Sequence, residues 1–126
     1  MRERHQSHFG KSFRDALSGL RIVYARESNF RVETAIAICM GLTAYILGFS
    51  YTSWTILLFL IVFILALEIV NTAIEHLVDL LKPRLHDQIK IIKDMMAGAV
   101  LVSSFGAVVI GTMLFAPFFI ELLSSL

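Results

Sequence analysis

The chain has 126 residues, 57% of them apolar and 17% charged, with a formal net charge of +1. Its mean hydropathy is +0.77, a balance that excludes an ordinary water-soluble domain and points to a single membrane domain. Cys39 is the one cysteine, so no intrachain disulfide is possible and the fold has to hold by packing.

The N-terminal stretch comes first. Phe9, Phe13, Leu17, Leu20 and Tyr24 recur at steps of three and four, while Lys11, Arg14, Ser18 and Arg21 take the other side. On a helix the first set forms one apolar stripe, which suits a helix lying on the cytoplasmic leaflet with its basic residues toward anionic headgroups. The region is too polar for a cleavable signal peptide. Residues 1–31 are therefore expected to form a cytoplasmic and surface segment.

Three stretches then come near or beyond the roughly 20 apolar residues that a span requires. They predict transmembrane helices at 32–51, within 52–80, and at 95–120, with a cytoplasmic loop at 81–94. The first contains Gly41 and Gly48 and ends at the polar cluster Ser50 to Ser53, which reads as a tight hairpin turn. Arg2, Arg4, Lys11, Arg14, Arg21, Arg26 and Arg31 precede the first span, and Lys82, Arg84, Lys90 and Lys93 separate the second from the third. The first hairpin and the C-terminal tail carry no lysine or arginine. The positive-inside rule then places the N-terminus in the cytoplasm and the C-terminus outside, in a multi-pass protein.

The second span ends in LEIVNTAIEHLVDL, directly after an uncharged run from Thr52 to Leu67. At about 100° per residue, Glu68, Asn71, Glu75 and Asp79 fall within an arc of about 80°, so all four share one face. Carboxylates that deep in an apolar helix are costly and mark function, although Asp79 alone is equally well a helix-end charge. Lys93 and Asp94 stand immediately before the uncharged third span, and Glu27, Arg31 and Glu33 stand at the entrance to the first. Short connections would gather Glu27, Glu68, Glu75 and Asp94, with Asn71 and Lys93, at one membrane boundary. Hard oxygen donors beside an ammonium suit Mg²⁺ and phosphate. His5, His8, His76 and His86 have no zinc-site spacing with Cys39. Neither GxxxxGK[ST] nor GxGxxG occurs, so the residues alone do not specify ATP.

Together, ExxNxxIExxxD (Glu68 to Asp79) and KDxxxxAV (Lys93 to Val100) resemble the signature of the small prokaryotic diacylglycerol kinase family, which includes undecaprenol kinases. GLR (Gly19 to Arg21), Glu27 and FRxE (Phe30 to Glu33) match the family's N-terminal part. The resemblance implies an all-α homotrimer of surface helices and three transmembrane helices per chain, transferring the γ-phosphate of MgATP to a lipid hydroxyl. It implies Glu68 as the general base, Asn71 as the residue orienting the reacting groups, and Glu27 with Glu75 as the Mg²⁺ ligands. Lys93, Asp94 and His86 would contact the nucleotide, and Arg31 and Glu33 the entering lipid. Asp15 and His8 depart from the aromatic or basic residues that some relatives place near the nucleotide. NTAIEH and AGAV resemble the undecaprenol kinase branch, which favours a polyprenol acceptor over diacylglycerol.

Ala99, Ser103, Ala107 and Gly111 form a small-residue ridge on the third span, suited to close helix approach and to a homo-oligomer. No nucleic-acid partner is expected. Two other classes fit buried carboxylates in a small membrane protein: an ion-coupled transporter, which would more often carry internal repeats, and a noncatalytic membrane subunit. ATP-dependent lipid phosphorylation separates them.

Overall fold

The computed structural model describes residues 3–81 and 86–125. Its four helices are α1 (Glu3–Arg26), α2 (Ser28–Ile46), α3 (Tyr51–Leu81) and α4 (His86–Ser124). No strand occurs among the described residues, as the all-α expectation requires.

A single residue separates α1 from α2. Glu27 is extended, with φ −100° and ψ 112°, and caps the N-terminus of α2. The corner is clasped by Arg31, whose Nη1 donates to the carbonyls of Tyr24 at 2.9 Å and Ala25 at 3.2 Å. Carbonyls in the last turn of a helix have no intrahelical partner, and a guanidinium there also complements the helix dipole. Tyr24 and Phe30 meet edge to face across the corner, with ring centroids 6.5 Å apart. The apolar stripe of α1 is turned outward: Phe9 is 79% and Phe13 61% exposed. That is the surface an interfacial helix would offer to lipid.

The turn between α2 and α3 is closed by backbone chemistry. The N–H of Phe49 donates to the carbonyl of Ala44 at 3.1 Å, and that of Gly48 to Tyr45 at 3.2 Å. This is the double bond of a Schellman motif. Its left-handed position is Gly48, at φ +66°, where a side chain would be strained. Ser50 then caps α3, its Oγ accepting from the N–H of Ser53 at 3.2 Å. The reversal therefore lies at 47–50, and Tyr51 to Ser53, read from the sequence as part of the turn, form the first turn of α3.

Helices α2, α3 and α4 meet beneath this turn. Ala44, Phe49, Leu57 and Phe115 form the buried cluster, with Trp54 and Phe118 packed against it. Phe49 lies 4.7 Å from Phe115 and 5.0 Å from Phe118, ring centre to ring centre. Elsewhere most large apolar side chains face outward.

Both α3 and the stretch Asp87–Ser124 of α4 are long and apolar enough to cross a membrane. Only 11% and 6% of the residues in their most apolar windows are buried, so they do not behave as core helices of a soluble protein. At about 1.5 Å per residue, the 31 residues of α3 extend about 46 Å. That exceeds a hydrocarbon core of about 30 Å and leaves its last turns beyond the apolar layer. Among the described residues, α2 does not meet the same measure of length and apolarity. It opens on Ser28, Asn29, Arg31 and Glu33, which shortens its apolar part.

Candidate functional site

The polar face of α3 lines a cavity of about 410 Å³, closed by α4 and by Asn29 at the start of α2. Glu68, Asn71 and Glu75 come from α3, each about one turn beyond the last, as the 3.6-residue repeat dictates. Lys93 faces them from α4. Because α4 begins at His86, Lys93 and Asp94 sit two turns inside a helix and not in a connecting loop. A helical backbone fixes Lys93 opposite Glu75 more firmly than a loop could.

Burial grades along the stripe. Glu68 is 4% exposed and the next helical turn carries Thr72, also at 4%. Asn71 is half-buried, and Glu75 and Asp79 are exposed. The stripe thus runs from the packed interior to the helix end. The Lys93 ammonium is 2.9 Å from Oδ1 of Asp79. Both side chains are well exposed, at 40% and 57%, so the pair orients Lys93 more than it stabilises the fold.

The carboxylates are electrostatically coupled. Glu27 and Glu75 are the charges that bear on Glu68, and Glu68 in turn bears on Glu33. Glu27 is half-buried at the α1–α2 corner and makes no side-chain cap, which leaves its carboxylate available to the site. Among the described residues no three His, Cys, Asp or Glu side chains form a ready metal cage. Mg²⁺ is ordinarily held by one or two carboxylates together with substrate phosphates, so Glu75, in a cavity with an amide and an ammonium, and Glu27, near enough for its charge to bear on Glu68, fit it.

Of the residues expected from the sequence, Glu68, Asn71, Glu75 and Lys93 line one cavity; Glu27 and Glu33 do not line it and are tied to it only through their charge interactions with Glu68. Asp94 is exposed and does not line it. Arg31 has its guanidinium on the α1 carbonyls. The side chain of His86 lies outside the described residues. Glu33 heads a second cavity, an apolar groove of about 750 Å³ between α2, α3 and α4. Its Oε2 is buried without a hydrogen-bond partner. Ala107 and Gly111 of the small-residue ridge line this groove, and a Cβ added at Gly111 would meet nothing within 4 Å. Within one chain Ala107 and Gly111 therefore face the open space of this groove.

Sequence reasoning missed Asn29 and Ser104, which both line the polar cavity, and the buried Thr72. Asn29 sits in a polar corner with no periodicity to single it out. Ser104 was legible in principle, since Ala97, Val100 and Ser104 continue at helical steps from Lys93.

The prokaryotic diacylglycerol kinase family description matches residues 14–115, a stretch that contains every site residue named above. The undecaprenol kinase of Bacillus subtilis is 37% identical over 109 residues, covering 86% of this chain and 89% of that protein. The diacylglycerol kinase of Synechocystis sp. is 35% identical over 107 residues, covering 84% of this chain and 61% of that protein.

Proposed function

The chain belongs to the prokaryotic diacylglycerol kinase family and is a lipid kinase, and we propose that it transfers the γ-phosphate of MgATP to the hydroxyl of undecaprenol. The observation that carries this reading is the buried Glu68, in a polar cavity with Asn71, Glu75 and Lys93 that shares Ser104 with a long apolar groove. Such a site can hold a phosphate donor and a lipid alcohol side by side.

Phosphoryl transfer depends on positioning and charge neutralisation more than on covalent help from the protein. The acceptor oxygen forms the new bond to the γ-phosphorus, the bond to ADP breaks, and the hydroxyl proton passes to Glu68. Asn71, one turn along α3, orients the reacting oxygens. Lys93, with Asp94 beside it and His86 at the head of the same helix, attends the nucleotide phosphates. To reach them Lys93 exchanges its bond to Asp79 for one to phosphate. Glu27 and Glu75 would hold Mg²⁺, which neutralises phosphate charge when bound. Glu33 receives the lipid head from the groove, and Arg31 serves that entrance by fixing the α1–α2 corner.

In this reading α2 is a third span and α1 lies on the cytoplasmic surface. The N-terminus is then inside and the C-terminus outside a bacterial inner membrane. Three such chains assemble through outward apolar faces of their helices.

Diacylglycerol is the second reading, supported by the Synechocystis relative. Both acceptors present one hydroxyl at headgroup depth, so the choice rests on the higher identity and fuller coverage of the undecaprenol kinase. A side-by-side measurement of kcat/KM on undecaprenol and diacylglycerol in the same micelles, at fixed Mg²⁺ and ATP, decides it. The expected preference is for undecaprenol. A tenfold preference for diacylglycerol, about 1.4 kcal/mol, would reverse the assignment.

A further inference from the structure

The two cavities share one residue. Ser104 lines both the polar cavity that holds Glu68 and the apolar groove that runs down α4 to Phe119. On α3 the boundary falls between Leu65, in the groove, and Glu68, in the polar cavity. On α2 it falls between Asn29 and Glu33. The two linings meet at this one serine of α4, with Glu68 in the first and Glu33 in the second, and this junction is the neck between them. Both volumes lie within the range of about 300–1,000 Å³ typical of ligand sites.

The geometry points to Ser104 as the residue that sets which acceptor alcohols reach Glu68, a specificity residue for the lipid and not for the nucleotide. This rests on the lipid kinase reading and extends it. The occupant of the groove is the acceptor's hydrocarbon chain. Its walls are mostly apolar, with Thr43, Ser104 and Thr112 the hydroxyl residues among them, and their one acidic member, Glu33, has a buried oxygen without a hydrogen-bond partner. A lipid whose tail lies in the groove and whose hydroxyl points to Glu68 must pass both groups, and its hydroxyl can donate to that oxygen on the way. The hydroxyl of the adjacent Ser103 is tied back to the carbonyl of Ala99 at 2.7 Å. No such bond holds the Ser104 hydroxyl among the described residues, so the neck is lined by a small side chain that can turn toward a passing head group. Nucleotide phosphates approach from the Lys93 end of the polar cavity and do not cross the neck.

The test compares the full-length wild-type chain with Ser104→Leu in mixed micelles. It measures kcat/KM on undecaprenol and on diacylglycerol, together with KM for MgATP. Narrowing the neck should lower kcat/KM on undecaprenol at least tenfold. Diacylglycerol, with two chains at its head, should lose more, and KM for MgATP should stay within twofold. A cysteine variant, Ser104→Cys combined with Cys39→Ala, covers the case in which the leucine variant does not fold. It is alkylated with a bulky maleimide after folding, and lipid phosphorylation should fall at least tenfold on alkylation with the same constancy of KM for MgATP. Unchanged lipid use in the leucine or alkylated protein would overturn the assignment of Ser104, as would a parallel rise in KM for MgATP. If the wild-type chain phosphorylates neither alcohol, the lipid kinase reading itself falls, and the role of Ser104 with it.

Discussion

Replacing Glu68 with glutamine keeps the shape of the side chain and removes its ability to take a proton. Loss of a positioned general base costs about 10²–10⁴ in rate. The surroundings of Glu68 argue for the upper part of that range. It is 4% exposed, so bulk water cannot readily take its place, and the neighbouring carboxylates Glu27 and Glu75 are assigned to the metal. A thousandfold fall in kcat corresponds to about 4 kcal/mol of transition-state stabilisation. Glu68→Asp retains the carboxylate but withdraws it by one methylene, and a displacement of about 1 Å is enough for a hundredfold loss. The assay is steady-state lipid phosphorylation in micelles, with MgATP binding followed separately by calorimetry. Glu68→Gln should bind MgATP within about threefold of the wild type, since the nucleotide is held elsewhere in the cavity. Folding should not suffer, because removing a buried charge among like charges relieves repulsion. A Glu68→Gln variant that keeps more than a tenth of the wild-type kcat would refute the assignment of Glu68 as the base.

Other consequences are equally direct. Glu75→Gln should raise the Mg²⁺ concentration needed for half-maximal activity by tenfold or more, read from a magnesium titration at constant ATP; an unshifted titration would remove Glu75 from the metal site. Arg31→Ala frees two carbonyls at the end of α1 and should cost about 1 kcal/mol, seen as a lower thermal midpoint in detergent. The ratio of kcat/KM between acceptors should not move, because Arg31 clasps the corner and does not choose the lipid. Gly48→Ala places a side chain at φ +66° with nothing to clash against, so its cost is conformational, about 1 kcal/mol, and thermal unfolding should report it with little change in KM for either substrate.

Much of this was legible because the helical repeat writes itself into the sequence. Glu68, Asn71 and Glu75 share a face of α3 at spacings of three and four, and the outward stripe of Phe9 and Phe13 follows the same rule. Lys93 was placed beside them by the short connection between two long apolar helices. What escaped was what depends on contacts between helices. The function of Arg31 as a clasp needs the Tyr24 and Ala25 carbonyls, which come into reach only once the chain turns at Glu27. The small-residue ridge announced close helix approach, yet Gly111 faces open space within one chain. Ser104 continues the Lys93 face at helical steps, but its place between two cavities shows only in the fold. The hairpin was expected at the polar residues, whereas the reversal is made by Gly48 and its backbone bonds, with Ser50 spent on capping the next helix.

Whether the residues around Glu68 carry phosphate from nucleotide to a polyprenol is read by following the phosphate itself. Purified protein in vesicles containing undecaprenol is supplied with Mg²⁺ and ATP labelled in its γ-phosphate, and the label is partitioned between the lipid and aqueous phases while ADP is counted. One labelled phosphate should enter the lipid phase for each ADP formed by the wild-type chain, with a loss of both products on the order of a thousandfold in Glu68→Gln. ADP formed with the label left in water as inorganic phosphate, or lipid labelling undiminished in Glu68→Gln, would contradict this reading.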